Sequence, residues 1–340
     1  MKLSIGIVGL PNVGKSTLFK LLTSNDILIA NYPFATIDPN VGVVAVPDER
    51  VEKLNEMSKS KKKIPAIVEF YDIAGLVKGA ATGEGLGNQF LTHIRDTSAV
   101  VQVLRCFGGE EIIHVENSVD AVRDMGIINT ELALKDLETV EKRIIKANAE
   151  ARSGKKEAAK EVEALTKAKD ILAAGKSLGS LAADPTIKGL FLLTAKPKFY
   201  LLNGKPGDVS EKLTATIKAE GSDFVIADLA SPFPKGSTAE PGGISDVITK
   251  AYEVLGLISF FTTGEDETRA WTITKGEKAP QAAGVIHTDF EKKFIRAEVC
   301  SFSDFITCGG WSAARTKGKL RIEGKEYVVA DGDIMEIRHS

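Results

Sequence analysis

Gly9-Leu10-Pro11-Asn12-Val13-Gly14-Lys15-Ser16-Thr17 follows the apolar run Ser4 to Val8 and leads straight into Leu18-Phe19-Lys20-Leu21-Leu22, a helical run. A GxxxxGK[ST] stretch between a strand and a helix is the setting in which backbone N–H groups converge on phosphate oxygens. Asn12, Val13, Gly14, Lys15, Ser16 and Thr17 are therefore read as nucleotide contacts. Lys15 neutralises the β and γ phosphates and serves the chemistry, while the Ser16 hydroxyl ligates Mg²⁺ at the positive end of the helix. A turn of purely structural purpose needs neither Lys15 nor Ser16.

Outward from this loop, Val41 to Val46, Ala66 to Tyr71, Ala99 to Leu104, Phe199 to Leu202 and Phe224 to Ala227 are β-branched or apolar through most of their length. Helical-looking stretches separate several of them, which predicts a largely parallel α/β sheet. The run that ends at Tyr71 is followed by Asp72-Ile73-Ala74-Gly75. In phosphate-binding switch proteins the Asp of such a DxxG holds Mg²⁺ through water and the Gly N–H faces the γ-phosphate. Gly79, Gly83, Gly85 and Gly87 then make a segment that nucleotide contacts could order, ordinary loop flexibility being the other reading. Thr36, in Asn31-Tyr32-Pro33-Phe34-Ala35-Thr36, offers a first-switch hydroxyl to Mg²⁺ and the γ-phosphate.

The base end is unusual. A guanine site of this class reads NKxD, because the Asp accepts from guanine N1–H and N2–H₂. This chain reads Leu201-Leu202-Asn203-Gly204-Lys205-Pro206-Gly207-Asp208. Leu202, Asn203 and Lys205 are the candidate base contacts, and Pro206 stands where the acceptor belongs. Unpaired guanine donors cost about 1–3 kcal/mol each, and an Asn amide also pairs with adenine N6 and N7. ATP is expected over GTP unless Asp208 folds back into the site.

With 340 residues the chain exceeds twice the roughly 150 typical of one domain, so two or three domains are expected. Hydrophobic residues at 43% and charged residues at 26% exclude a disordered chain. The 44 basic and 46 acidic side chains leave a net charge of −2, so no whole-molecule field holds nucleic acid or anionic lipid, and any RNA contact is local. Cys106, Cys300 and Cys308 form neither a disulfide framework nor a CxxC pair, which fits a reducing cytosol. The start MKLSIGIVGL runs into a Gly/Pro/Asn turn rather than a cleavage site. No apolar run approaches the roughly 20 residues of a membrane helix, so neither export nor a membrane partner is expected.

Glu131 to Lys176 is rich in Ala, Lys and Glu and free of proline. Leu134, Leu137, Ile144 and Ile145, then Val162, Leu165, Ala168, Ile171 and Leu172, recur at helical spacing on either side of Ser153-Gly154-Lys155. Two helices of roughly 20 residues, folded back as an antiparallel hairpin, are predicted. Lys155, Lys156 and Lys160 gather near its tip, a pattern that more often marks a solvated face than a contact. From about Ile258 short β-type runs (Ala270 to Thr274, Phe294 to Val299, Tyr327 to Ala330, Ile334 to Ile337) predict a small α+β domain of about 80 residues.

GLPNVGKSTLF from Gly9, NYPFATIDPNVGVV from Asn31, YDIAGLVKGA from Tyr71, INTELALKDLETVEKR from Ile128 and RAWTITKGEKAPQAAGVIHTDFEKKFIRAEV from Arg269 resemble the Obg-like ATPase family, the YchF group of translation-factor-class P-loop proteins. The resemblance covers nearly the whole chain. It implies a nucleotide domain in two parts, 1–130 and 191–257, interrupted by a coiled-coil hairpin at 131–190 and followed by a TGS domain of β-grasp fold at 258–340. It further implies an ATP-hydrolysing, Mg²⁺-dependent cytoplasmic switch on the ribosome, with the large subunit expected as its partner. The family carries NxxE where this chain has Asn203-Gly204-Lys205-Pro206, and its base-cupping loop is placed here at Asp228-Leu229-Ala230. It also lacks a water-positioning glutamine after DxxG; Leu76 occupies that place, and His114 matches the His that the family is thought to use instead.

The expectation is a slow ATPase switch in which Lys15, Ser16, Thr36 and Asp72 manage phosphate and metal. Ribosome or RNA contact would use local patches such as Lys155-Lys156 or Lys292-Lys293 with Arg296. Two other classes stay open. A metabolic P-loop kinase would need a lid with extra arginines, and no arginine cluster flanks the motifs. A nucleotide-binding scaffold without hydrolysis is the reading that Leu76 favours.

Overall fold

The computed structural model describes residues 4–24, 40–73, 86–108, 118–231 and 243–340. The first third of the chain forms β1 (Ser4–Val8), α1 (Lys15–Leu22), β2 (Val41–Ala45), α2 (Glu49–Ser58), β3 (Lys62–Ile64), β4 (Ile67–Asp72), α3 (Leu86–Asp96) and β5 (Ala99–Arg105). Then come α4 (Ala121–Arg152), α5 (Lys156–Ala173), α6 (Pro185–Gly189), β6 (Lys198–Asn203), α7 (Glu211–Ala219), β7 (Asp223–Ala227) and α8 (Ile244–Val254). The last stretch holds β8 (Leu257–Thr263), β9 (Glu267–Thr274), α9 (Ala279–Ile286), α10 (Thr288–Lys292), β10 (Phe294–Ser301), α11 (Phe302–Cys308), α12 (Trp311–Thr316), β11 (Arg321–Glu323) and β12 (Asp333–His339). These elements divide into two compact units, one of residues 4–24, 40–42, 69–73, 86–108, 118–231 and 243–247, the other of 43–68 and 248–340.

All six strands expected for the nucleotide sheet are present, in the order β2-β4-β1-β5-β6-β7. β1 pairs in parallel with both β4 and β5, and β5–β6 and β6–β7 continue the parallel ladder. Every residue of β1 and β5 is buried, as a strand covered on both faces requires, which is why they read as unbroken apolar runs. The register aligns Arg105 with Asn203 and Asn203 with Ala227 at the carboxyl ends of β5, β6 and β7. Sites on open α/β sheets lie at that edge.

The predicted hairpin forms, but its first arm starts at Ala121 rather than Glu131. Asp120 caps it by accepting the Val122 and Arg123 N–H groups. The added turns carry Met125, which packs with Tyr200, Leu202, Leu213 and Ile217 against the sheet, so α4 is at once a layer of this unit and an arm of the hairpin. A second correction concerns the seam. Leu134 and Ile145 are 48% and 71% exposed, and the buried stripe is Ala133, Val140 and Ala147 with Leu137 and Ile144, at heptad spacing. It meets Leu165, Ala168 and Leu172 of α5, with Val162 and Ile171 beside them as expected. Gly154, at φ 90°, makes the reversal.

At the hairpin's base the buried Asp136 accepts the Leu193 N–H at 2.9 Å, the Thr194 N–H at 2.7 Å and the Thr194 hydroxyl at 2.7 Å. Near the tip Arg143 grips Glu161 with two bonds of 2.6 and 2.7 Å, and the exposed Lys155 pairs with Glu150 at 3.7 Å. The Lys156 side chain lies outside the described residues.

The second unit holds a mixed sheet in the order β11-β10-β12-β8-β9-β3. β8–β9, β10–β12 and β10–β11 are antiparallel, whereas β12–β8 and β3–β9 are parallel. The strands predicted around Ala270, Phe294 and Ile334 are there. Tyr327 to Ala330 forms no strand, only a single bridge from Val328 to Lys278. The Asp333 carboxylate instead takes the Ala330 N–H at 2.9 Å and the Tyr327 hydroxyl at 2.6 Å, which curls this segment into a turn. Sequence reading also missed the first half's contribution: β3 completes the sheet, and Arg50 of α2 bridges Asp48 and Asp331 at 2.8 and 2.7 Å over the Phe261 ring. Phe260, Trp271, Phe294, Val299 and Met335 form the unit's core.

Candidate functional site

β1 ends at Val8, and the chain bends through Asn12 at φ 63° and Gly14 at φ 109° before α1 begins at Lys15. Two left-handed residues flanking Val13 curl the backbone into a loop. Gly14 is the helix N-cap and offers no side-chain cap, so the first-turn N–H groups of α1 stay open to an anion. Lys15 is 8% exposed and donates from Nζ to the Leu10 carbonyl at 2.8 Å. Burial lowers its pKa, and the attraction of Asp72 opposes that fall. Burial likewise raises the Asp72 carboxyl while Lys15 pulls it down. The ammonium and the carboxylate therefore stabilise one another's charge across the ends of β1 and β4. Ser16 and Thr17 are exposed.

The other end is built on Asn203, the last residue of β6 and 4% exposed. Its Nδ2 donates to the Val13 carbonyl at 2.9 Å, and its Oδ1 accepts the Leu229 N–H at 3.2 Å. One amide thus ties the phosphate loop to the loop after β7. Between them lies a cavity of about 640 Å³, within the usual range for a small-molecule site. Asn12, Gly14, Lys15, Ser16, Thr17, Asn203, Lys205 and Leu229 line it, all candidates from the sequence.

Other candidates fall elsewhere. Val13 is 1% exposed and contributes its carbonyl to Asn203. Leu202 is 0% exposed, its side chain in the core with Met125 and Leu213 rather than in the cavity. Asp72 sits at the end of β4, facing Lys15 electrostatically but not among the cavity's lining residues. Thr36, Gly75 and His114, with Leu76 and the glycines from Gly79 to Gly85, lie outside the described residues.

Phe107 and Gly108, not singled out from the sequence, also line the cavity. The fully buried Arg105 holds that turn, its Nε donating to the Phe107 carbonyl at 3.2 Å and its guanidinium lying 4.5 Å from the Phe107 ring centre. The available signal was position, since Cys106, Phe107 and Gly108 leave β5 at the carboxyl edge beside Asn203. Burial and the Asp208 charge push the Cys106 thiol up to about 12, so it stays protonated and unreactive beside the site.

A phosphate loop after the first strand of a parallel sheet, joined by the asparagine that ends β6 to the loop that follows β7, defines a P-loop nucleotide-binding fold. A family model described as "50S ribosome-binding GTPase" matches residues 4–148, and the C-terminal YchF GTPase model, described as "Protein of unknown function (DUF933)", matches 257–340. The chain is 44% identical to the "Ribosome-binding ATPase YchF" of Bacillus subtilis over 99% of both chains, and 45% identical to that of Escherichia coli O157:H7 over 98% of both. The solved structure of the Schizosaccharomyces pombe YchF GTPase superposes with a TM-score of 0.84 at 40% identity, over 99% of this chain and 98% of that one. The chain belongs to the YchF family.

Proposed function

We propose that this protein is an ATP-binding, slowly ATP-hydrolysing switch that associates with the ribosome. The observation that carries the reading is a cavity of about 640 Å³ that Lys15 and Ser16 line together with Asn203 and Leu229, so that phosphate-binding and base-binding groups share one space. The relatives' name, ribosome-binding ATPase, supports hydrolysis and a ribosomal partner. The phrase 50S ribosome-binding supports the large subunit. Contact would use local patches, the hairpin tip around Lys155 or the Lys292-Lys293 and Arg296 patch, because net charge is near zero. A ribosomal partner implies a cytoplasmic place of work. Among the described residues no helix is long and apolar enough to cross a membrane.

In this reading the unit that carries the parallel sheet is the nucleotide domain, interrupted by the hairpin of α4 and α5, and residues 258–340, whose sheet β3 completes, form a TGS domain. Lys15 neutralises the β and γ phosphates, the open N–H groups of α1 hold their oxygens, and Phe107 offers a flat wall to the base. The donor set suits a hard divalent cation: the exposed Ser16 hydroxyl and the Asp72 carboxylate, with Thr36, are oxygen ligands of the kind Mg²⁺ takes. Bound Mg²⁺ would neutralise charge on the phosphate oxygens. The Gly75 N–H reports the γ-phosphate, and His114 orients the attacking water in place of Leu76.

The test is the reaction product. Incubation with ATP is expected to release free phosphate and ADP in single turnover. A phosphorylated small acceptor would establish a kinase, and bound but uncleaved ATP a scaffold. His114→Ala should bind ATP as the wild type does and release phosphate about 100-fold more slowly or worse, the usual scale of a water-activating group. Wild-type release by that variant would remove His114 from the reaction.

A further inference from the structure

Base choice in the cavity is decided by its hydrogen-bonding groups, and most of them are already committed. Asn203 spends one N–H on Val13 and one lone pair on Leu229. The N–H it keeps can meet N7, an acceptor that adenine and guanine share, so it does not discriminate between them. Pro206 has no N–H, and its carbonyl takes the Val209 N–H at 3.4 Å. Of the two carboxylates lining the cavity, Asp228 is engaged through both oxygens, Oδ1 by the Ala230 N–H at 3.1 Å and Oδ2 by the Ser231 hydroxyl at 2.8 Å.

Asp208 differs. Pro206–Asp208 forms one short 3₁₀ turn that folds the carboxylate back over Gly204, where Oδ2 accepts the Lys205 N–H at 2.9 Å. The Asp208 Oδ2 lies 3.2 Å from the place a Gly204 Cβ would occupy, so the carboxylate is packed on the turn that leaves Asn203. Among the described residues Oδ1 has no hydrogen-bond partner. Asp208 is exposed and lines the cavity, and its charge reaches the Cys106 thiol, which packs beside the same Gly204 turn.

We infer that Asp208 is the specificity-determining acceptor of the base site, taking up from two residues further along the chain the work that Pro206 cannot do. This rests on the nucleotide reading of the cavity. The carboxylate pairs with guanine N1–H and N2–H₂ through two acceptors, and with adenine through N6–H₂ alone. GTP therefore stays a real competitor of ATP in this chain, and Asp208 is the reason.

The test is a competitive titration of ATP and GTP, with Mg²⁺, on the full-length wild type, Asp208→Asn and Asp208→Ala. The Asn variant keeps an oxygen for the Lys205 N–H, so the turn survives, but it turns amide donors toward guanine N1–H. Both variants are expected to lose GTP affinity about 10-fold or more and ATP affinity less than about 3-fold, since a bidentate base contact is worth roughly 1–3 kcal/mol. Retained ATP binding shows that the cavity is folded. A GTP-to-ATP ratio that moves less than twofold in both variants would overturn the assignment, as would a wild type that binds ATP and no GTP. A wild type that binds neither nucleotide would overturn the reading of the cavity itself, and the assignment with it.

Discussion

Lys15→Ala is expected to reduce single-turnover phosphate release by at least about 100-fold, the scale set by removing one preorganised charge from a phosphate or oxyanion site. Affinity for the triphosphate should fall by about tenfold or more, because contacts to charged partners are worth about 1.5–3 kcal/mol. The side chain is 8% exposed and pinned to the Leu10 carbonyl at 2.8 Å, so its ammonium is already placed before ligand arrives. Its loss also removes the attraction that lowers the Asp72 carboxyl, leaving burial alone to raise it. Arginine should not rescue the activity, since a planar fork does not fit a place built for a compact ammionium. The fold should survive with a melting temperature only a few degrees lower, because one unpaired carbonyl costs about 1–3 kcal/mol while the burial of a charge is relieved. Phosphate release with protein in excess checks the first claim and thermal melting the last. A variant that hydrolyses ATP at the wild-type rate would mean that the cavity is not where hydrolysis occurs.

The strand, loop and helix from Ser4 to Leu22 were legible because each step is local: a buried run, a motif whose glycine and lysine have one use, and an apolar helix face. The same holds for β5, where seven buried residues leave an apolar signature. What escaped reading was non-local or made of small residues. Lys62-Lys63-Ile64 carries no strand pattern and becomes β3 only because β9 lies ready to pair with it. In the hairpin the larger side chains Leu134 and Ile145 drew attention, yet the seam was chosen by close approach, which Ala133 and Ala147 allow. Asp208, by contrast, is named from the sequence as the residue that would have to fold back, and only the turn at Pro206 shows that it does. Phe107 carried no motif, and its place depends on the buried Arg105 behind it.

Gly14→Ala is expected to cost at least as much binding as the loss of Lys15, by a different route. At φ 109° a side chain is strained wherever it points, and such backbone strain is worth about 1–3 kcal/mol. The added Cβ would also press on the Asn203 amide nitrogen, well inside contact distance, and lie 3.2 Å from Leu229 Cδ1. The leucine methyl can swing aside, but the amide cannot move without giving up its bonds to Val13 and Leu229. Breaking that tie separates the phosphate loop from the base loop, and ATP affinity should fall about 100-fold, the sum of strain and roughly one or two lost buried bonds. The two causes separate in a double-mutant cycle. With Asn203→Ala already in place the clash is gone and only the backbone strain remains, so adding Gly14→Ala should cost about tenfold or less in ATP affinity. Strictly additive losses would show that the amide yields freely, and that Asn203 is not the buckle between the two ends of the site.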